Sequence, residues 1–131
     1  MQISHLRILC LVSEIYEQIY RIVKLIPKGR VMSYAGVARQ AGIAHAPRVP
    51  GYALYALRDT AKHRAVPWWR VINSQGRISN SSSPNAPDIQ RELLRAEGVD
   101  VSEEYRVDMR VYDAEDVVYQ KLKRSRKPTQ H

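Results

Sequence analysis

The chain is nearly without cysteine. Cys10 stands alone among 131 residues, so no disulfide can form within the chain and a reducing compartment fits. One thiol and four scattered histidines do not make a metal-ligand set, and neither a metal nor a cofactor is expected. Long apolar runs are also missing. The run Ile8 to Val12 is too short for a membrane span, and it lacks the small-residue cleavage site of a signal peptide. Cys10 lies inside that run and reads as a buried, inert side chain, because nothing adjacent would lower its pKa. There is no internal repeat. Acidic residues are few: 13 against 21 Lys and Arg, for a net charge of +8 and a pI near 9.9. A small basic domain points to a polyanion, with nucleic acid first and an acidic membrane surface second. Five of the basic side chains fall near the end, at Lys121, Lys123, Arg124, Arg126 and Lys127, yet the rest remains net positive.

What is present fits a single domain with a real core. Residues 1–12 read as an N-terminal extension. From Ser13 the period becomes helical, with Ile15, Ile19, Ile22, Val23 and Ile26 on one face, and Pro27 and Gly29 end it. Ser33 is placed to cap a second helix, Tyr34 to Gln40, with Gly42 just past its end. A third helix spans about Arg48 to Leu57, where Pro50 fits only in the first turn. Two short helices joined by a Gly-containing link make a helix-turn-helix pattern, whose second helix usually enters the major groove. A polar loop follows over 58–66. Ser79 to Pro87 reads as loop and as a candidate flap. A fourth helix runs from Asn85 or Asp88 to Ala96, burying Ile89, Leu93 and Leu94. Val107, Met109 and Val111 alternate with charged residues, as in a half-buried strand. From Asp113 the chain is charged and reads as a disordered tail, leaving 13–112 as the folded unit.

The chain is organised around Val66-Pro67-Trp68-Trp69-Arg70-Val71-Ile72, followed by the turn Ser74-Gln75-Gly76 and a second short strand at Ile78. Pro67 stiffens the backbone before the paired tryptophans. Adjacent side chains point in different directions, so either one tryptophan faces inward and the other lines a surface or pocket, or both are core, as is usual for this residue type. A tryptophan does no acid–base or nucleophilic chemistry. It can stack on a flat ring, which is worth about 1–3 kcal/mol per nucleic-acid base. A pocket around Trp68 would hold a base taken out of the helix without altering it.

These residues carry a resemblance. Pro67-Trp68-Trp69-Arg70-Val71 occupies the frame of Pro-Cys-His-Arg-Val, the active site of the O6-alkylguanine-DNA alkyltransferases. Trp at the cysteine position is the mark of the alkyltransferase-like proteins. Lys28-Gly29-Arg30-Val31-Met32-Ser33-Tyr34 resembles the family's Gly-x-Val-x-x-Tyr. Arg48-Val49-Pro50-Gly51-Tyr52-Ala53-Leu54 resembles Arg-x-Val-Gly-x-Ala-Leu, and Leu93-Leu94-Arg95-Ala96-Glu97-Gly98 resembles Leu-Leu-x-x-Glu-Gly. Ordered motifs over about two-thirds of the chain make the match specific.

The resemblance implies a mainly α fold with a small β-hairpin, a winged-helix or helix-turn-helix domain of the alkyltransferase C-terminal type. It implies minor-groove binding, with Tyr34 pressing on a phosphate and Arg48 filling the place of a flipped nucleotide. Gly51, Pro67, Trp68, Trp69 and Arg70 would belong to the binding site, and a flap containing Ser79 and Ser82 would close over it. The implied partner is duplex DNA containing alkylated guanine, bound by a monomer and handed to nucleotide-excision repair proteins, with no membrane involved. The implied location is the nucleoid of a prokaryote or the nucleus of a eukaryote. The chain also departs from the pattern. Trp69 replaces His, so of the Cys–His–Glu relay only Glu97 remains. Pro50 stands where Val is usual, the 58–66 loop is longer, no hinge Asn can be placed, and the flap lacks Gly and aromatic residues. Two alternatives stand beside a non-enzymatic lesion sensor: a residual alkyltransferase using Cys10, and a winged-helix regulator indifferent to lesions.

Overall fold

A 20-residue helix, α1 (His5–Lys24), forms the backbone of the domain in a computed structural model that describes residues 4–125. Its period buries Ile19, Ile22 and Val23, and Ile26 follows just beyond its end. The helix begins earlier than Ser13, because nothing between His5 and Val12 breaks it and Ser4 caps it by accepting from Arg7 N. Among the described residues this added half is left exposed. Leu6 and Leu9 are 76% and 60% exposed, and even Ile15 is exposed. Cys10 is exposed as well, which corrects the expectation that it is buried: the apolar run is helix that projects past the core.

Ser33 accepts from Gly36 N at 2.9 Å and starts α2 (Tyr34–Gln40). Pro50 sits in the first turn of α3 (Val49–Ala56), where its missing N–H costs nothing. Helices α1, α2 and α3 pack on one another, and Tyr20 Oη donates to Ala53 O at 2.7 Å to fasten α1 to α3. The polar loop is shortened by one helical turn, α4 (Lys62–Ala65), tied to α1 by Lys62 and Glu17 at 2.9 Å.

The sheet is small and parallel. β1 (Met32–Ser33) pairs with β2 (Val71–Ile72). The chain does turn back after β2, with Asn73 N donating to Arg77 O, but the ladder partner of β2 is the distant β1. Alternation along these strands divides the interior. Met32 and Val71 enter the main core with α1, α2 and α3. Val31 and Ile72 enter a second cluster with Ile78, Leu94, Val99, Val101 and Val107. Gly76 makes this second cluster possible. It has φ +79, and a Cβ there would lie 2.3 Å from Val107 O, so only glycine lets the two segments touch.

Helix α5 (Ala86–Ala96) buries Ala86, Gln90 and Leu94. Ile89 is 46% exposed rather than buried; it lies on another face of the helix from Gln90. Two further expectations are corrected. Residues 107–111 are not a strand: Asp108 accepts from Arg110 N and starts the short helix α6 (Met109–Tyr112), since a capping side chain gives the backbone a helical alternative. Nor is the segment after Asp113 a disordered tail through to Ser125. It forms α7 (Glu115–Ser125), which packs on α2. Ala114, Val118 and Leu122 recur at four-residue spacing and are buried. Glu115 receives Arg39 Nη2 at 2.7 Å and Gln40 Nε2 at 2.9 Å. Residues 126–131, including Arg126 and Lys127, lie outside the described residues.

Candidate nucleic-acid interface

A single 3₁₀ turn, Trp68–Arg70, follows Pro67 and leads straight into β2. The turn splits the two tryptophans, whose rings meet edge to face at 5.9 Å and 87°. Trp69 turns toward the second cluster. Its Nε1 donates to Glu97 Oε2 at 2.9 Å. Trp68 packs against the main core and shows its other side to an open cleft.

The carboxylate of Glu97 is the anchor of this corner. Besides Trp69, it accepts from Arg70 Nη2 at 2.8 Å and from Gly29 N at 3.3 Å. Arg70 also donates to Ile26 O at 2.8 Å, which ties the end of α1 to the tryptophan corner. Burial opposes ionisation of Glu97, but the hydrogen bonds from Arg70, Trp69 and Gly29 outweigh it and hold the carboxyl below its ordinary range. From α5, Gln90 Nε2 donates to Trp69 O at 3.0 Å and Val71 O at 2.9 Å. The backbone under Trp68 is therefore held from both sides.

The cleft has a volume of about 1240 Å³, above the ~300–1,000 Å³ of ordinary small-molecule pockets. Tyr34 lines it together with Arg48, Gly51, Tyr52 and Tyr55 at the start and along the length of α3. Trp68 and Leu54 also line it, as do Ser79–Ser83 with Ala86 and Ile89. Arg58, Asp59 and His63 are further lining residues. Burial raises the pKa of Tyr34, so its hydroxyl keeps its proton and can donate to an anion. Gly51 sits beside the Tyr34 ring; a Cβ added there would lie 3.7 Å from the ring, an ordinary van der Waals contact.

Of the residues expected at the site, Tyr34, Arg48, Gly51, Trp68, Ser79 and Ser82 come together on this cleft. Pro67, Trp69 and Arg70 do not line it: Pro67 is buried, and the other two serve Glu97. Sequence reading missed several lining residues. His63 stacks on Trp68 at 5.3 Å and 18°, and Arg58 lies 3.9 Å above the Tyr55 ring. Part of this was visible, since Arg48, Tyr52 and Tyr55 fall at helical spacing on a face opposite Ala53 and Leu54. His63 gave no such signal, because its place depends on how the 58–66 loop folds. Among the described residues no cluster suits a metal ion, and no helix is long and apolar enough to cross a membrane.

Residues 14–99 match the family described as 6-O-methylguanine DNA methyltransferase, DNA binding domain. A DNA base-flipping protein of Vibrio parahaemolyticus is 41% identical over 98 residues, covering 72% of this chain and 90% of that one. Alkyltransferase-like protein 1 of Schizosaccharomyces pombe is 34% identical over 103 residues, covering 76% and 93%. The crystal structure of S. pombe Atl1 with damaged DNA containing O6-carboxymethylguanine superposes with a TM-score of 0.69 at 34% identity, over 77% of this chain and 94% of that one. The mainly helical fold with its two short strands is thus the fold of that neighbour. The chain belongs to the family of the 6-O-methylguanine DNA methyltransferase DNA-binding domain, among its alkyltransferase-like members.

Proposed function

We propose that this protein binds duplex DNA at O6-alkylguanine, turns the damaged nucleotide into the cleft and holds it there without removing the alkyl group. The observation that carries the reading is the position of Trp68. It lines the cleft, in the frame where the resemblance puts the alkyl-accepting cysteine, and Tyr34 and Arg48 line the same cleft. Its aromatic surface offers stacking of about 1–3 kcal/mol, against the few kcal/mol needed to unstack and unpair a base. Arg48, exposed at the start of α3, fills the vacated place in the stack. Tyr34 donates to the neighbouring phosphate. The Ser79–Ser83 flap covers the base. The +8 charge supplies sequence-independent attraction to the backbone.

Alkyl transfer requires a nucleophile that attacks the alkyl carbon in line with the departing O6. An indole does not serve as that acceptor. The single thiol, Cys10, is on the projecting part of α1 and is not a cleft residue. Retention of the lesion makes the complex a marker, and hand-over to nucleotide-excision repair is the use we propose for it. The names of the base-flipping relatives and the lesion in the fission yeast complex support this reading.

Flipping is tested with 2-aminopurine placed next to O6-methylguanine in a duplex. Binding should raise its fluorescence as the neighbouring base leaves the stack, and Arg48→Ala should reduce that rise. Binding of the wild type with no fluorescence change would mean that the nucleotide stays in the helix.

A further inference from the structure

Outside the cleft, two arginines face each other without a counter-charge. Arg77 and Arg106 form an antiparallel bridge. The flanking hydrogen bonds are Ile78 N to Tyr105 O at 2.9 Å and Val107 N to Gly76 O at 2.7 Å. Arg77 and Arg106 are thus the non-hydrogen-bonded pair of that bridge. This is the closest cross-strand spacing, with Cα atoms ~4.5 Å apart and side chains on one face. Both are exposed, while Gly76, Ile78 and Val107 beside them are buried. Like charges directly opposite destabilise a pair. Among the described residues neither guanidinium has a salt-bridge or hydrogen-bond partner. Of the carboxylates near them in sequence, Glu103 is engaged by Arg95 at 3.1 Å and Asp108 by Arg110 at 3.2 Å, and among the described residues Glu104 makes no salt bridge to either arginine.

The pairing is enforced by the fold. Gly76 permits the close approach of Val107, and Tyr105 adopts φ 64 just before Arg106. Arg77 is exposed, Ile78 buried and Ser79 exposed, the alternation of an extended segment. Arg77 and Ser79 therefore share a face, about 7 Å apart along the chain. Ser79 lines the cleft, so the arginine pair continues that surface beyond the flap.

We propose that Arg77 and Arg106 clasp one backbone phosphate of the duplex whose flipped nucleotide occupies the cleft. The inference rests on the DNA-binding reading above. Two guanidinium groups on one phosphate exchange mutual repulsion for paired charge-assisted hydrogen bonds. A phosphate contact carries no sequence or lesion information.

The test uses the full chain as wild type, Arg77→Ala, Arg106→Ala and the double variant. Each is titrated across a salt series with an O6-methylguanine duplex and its guanine counterpart. The double variant should flatten the slope of log K against log salt by about 0.9, as for one lost phosphate contact on duplex DNA. The lesion-to-guanine ratio should stay at the wild-type value. Thermal unfolding of the free Arg77→Ala variant should be unchanged or shifted upward, since repulsion is relieved; a merely structural arginine would shift it down. A double variant with the wild-type slope would overturn the clasp, as would a fall in the lesion ratio alone. If the wild type binds both duplexes equally, the lesion reading fails while the slope still decides the clasp. No duplex binding by the wild type overturns both.

Discussion

Glu97→Ala should lose about 3–5 kcal/mol of stability, the cost of removing one partner from a buried ion pair. The side chains of Arg70 and Glu97 are only 14% and 9% exposed. Without the carboxylate, the Arg70 guanidinium keeps just Ile26 O as a partner in this site. Trp69 Nε1 and Gly29 N lose their acceptor as well. Glu97→Gln keeps the shape but not the charge and should cost less. Urea unfolding of the three proteins checks this order. The same carboxylate sets an acid limb. Its folded pKa is depressed below 4.5, so its contribution is full above the unfolded pKa and is lost as pH falls through the folded one. Glu115 acts in the same sense, lowered chiefly by its hydrogen bond from Arg39. Stability should therefore fall below about pH 4.3, and less steeply in Glu97→Gln. An alanine variant as stable as the wild type would show that the corner does not depend on Glu97.

The second large effect belongs to binding. Trp68→Ala should weaken binding to an O6-methylguanine duplex by about 5- to 150-fold, equivalent to 1–3 kcal/mol of stacking. The guanine duplex should be affected much less, because phosphate contacts remain. Trp68 also packs on the main core and against His63, so part of any loss could reflect a loosened corner. Trp68→Phe separates the two effects, since it keeps an apolar ring of smaller area. It should retain stability and an intermediate lesion preference. Equal weakening on both duplexes would place Trp68 in general DNA contact rather than in base recognition.

Local chemistry made much of this legible in advance. The Ser33 cap, Pro50 in a first turn and the turn before Gly42 all act within a few residues, and α2 and α3 fell where they were expected. The family frame then placed Tyr34, Arg48 and Trp68 near one another. What stayed hidden depends on distant partners. Helix α7 has a thin apolar stripe, with Val117, Val118 and Leu122 following Ala114 among charges, and it becomes visible only when α2 supplies Arg39 and Gln40 for Glu115. The bridge of Arg77 to Arg106 follows from a glycine contact across 31 positions of chain (76 to 107), and His63 reaches Trp68 only through the α4 turn. The strand pattern at Val107, Met109 and Val111 misled because the period was real while Asp108 favoured a helix.

Recognition without chemistry has two halves, and one experiment addresses both. The protein is titrated with two otherwise identical duplexes, one carrying O6-methylguanine and one guanine, and then protein and DNA are recovered and weighed by mass spectrometry. Binding should be tighter to the damaged duplex, with the protein mass unchanged and the lesion intact. Equal affinity for both duplexes would contradict lesion recognition, and a protein heavier by one methyl group would make it an alkyl-accepting enzyme.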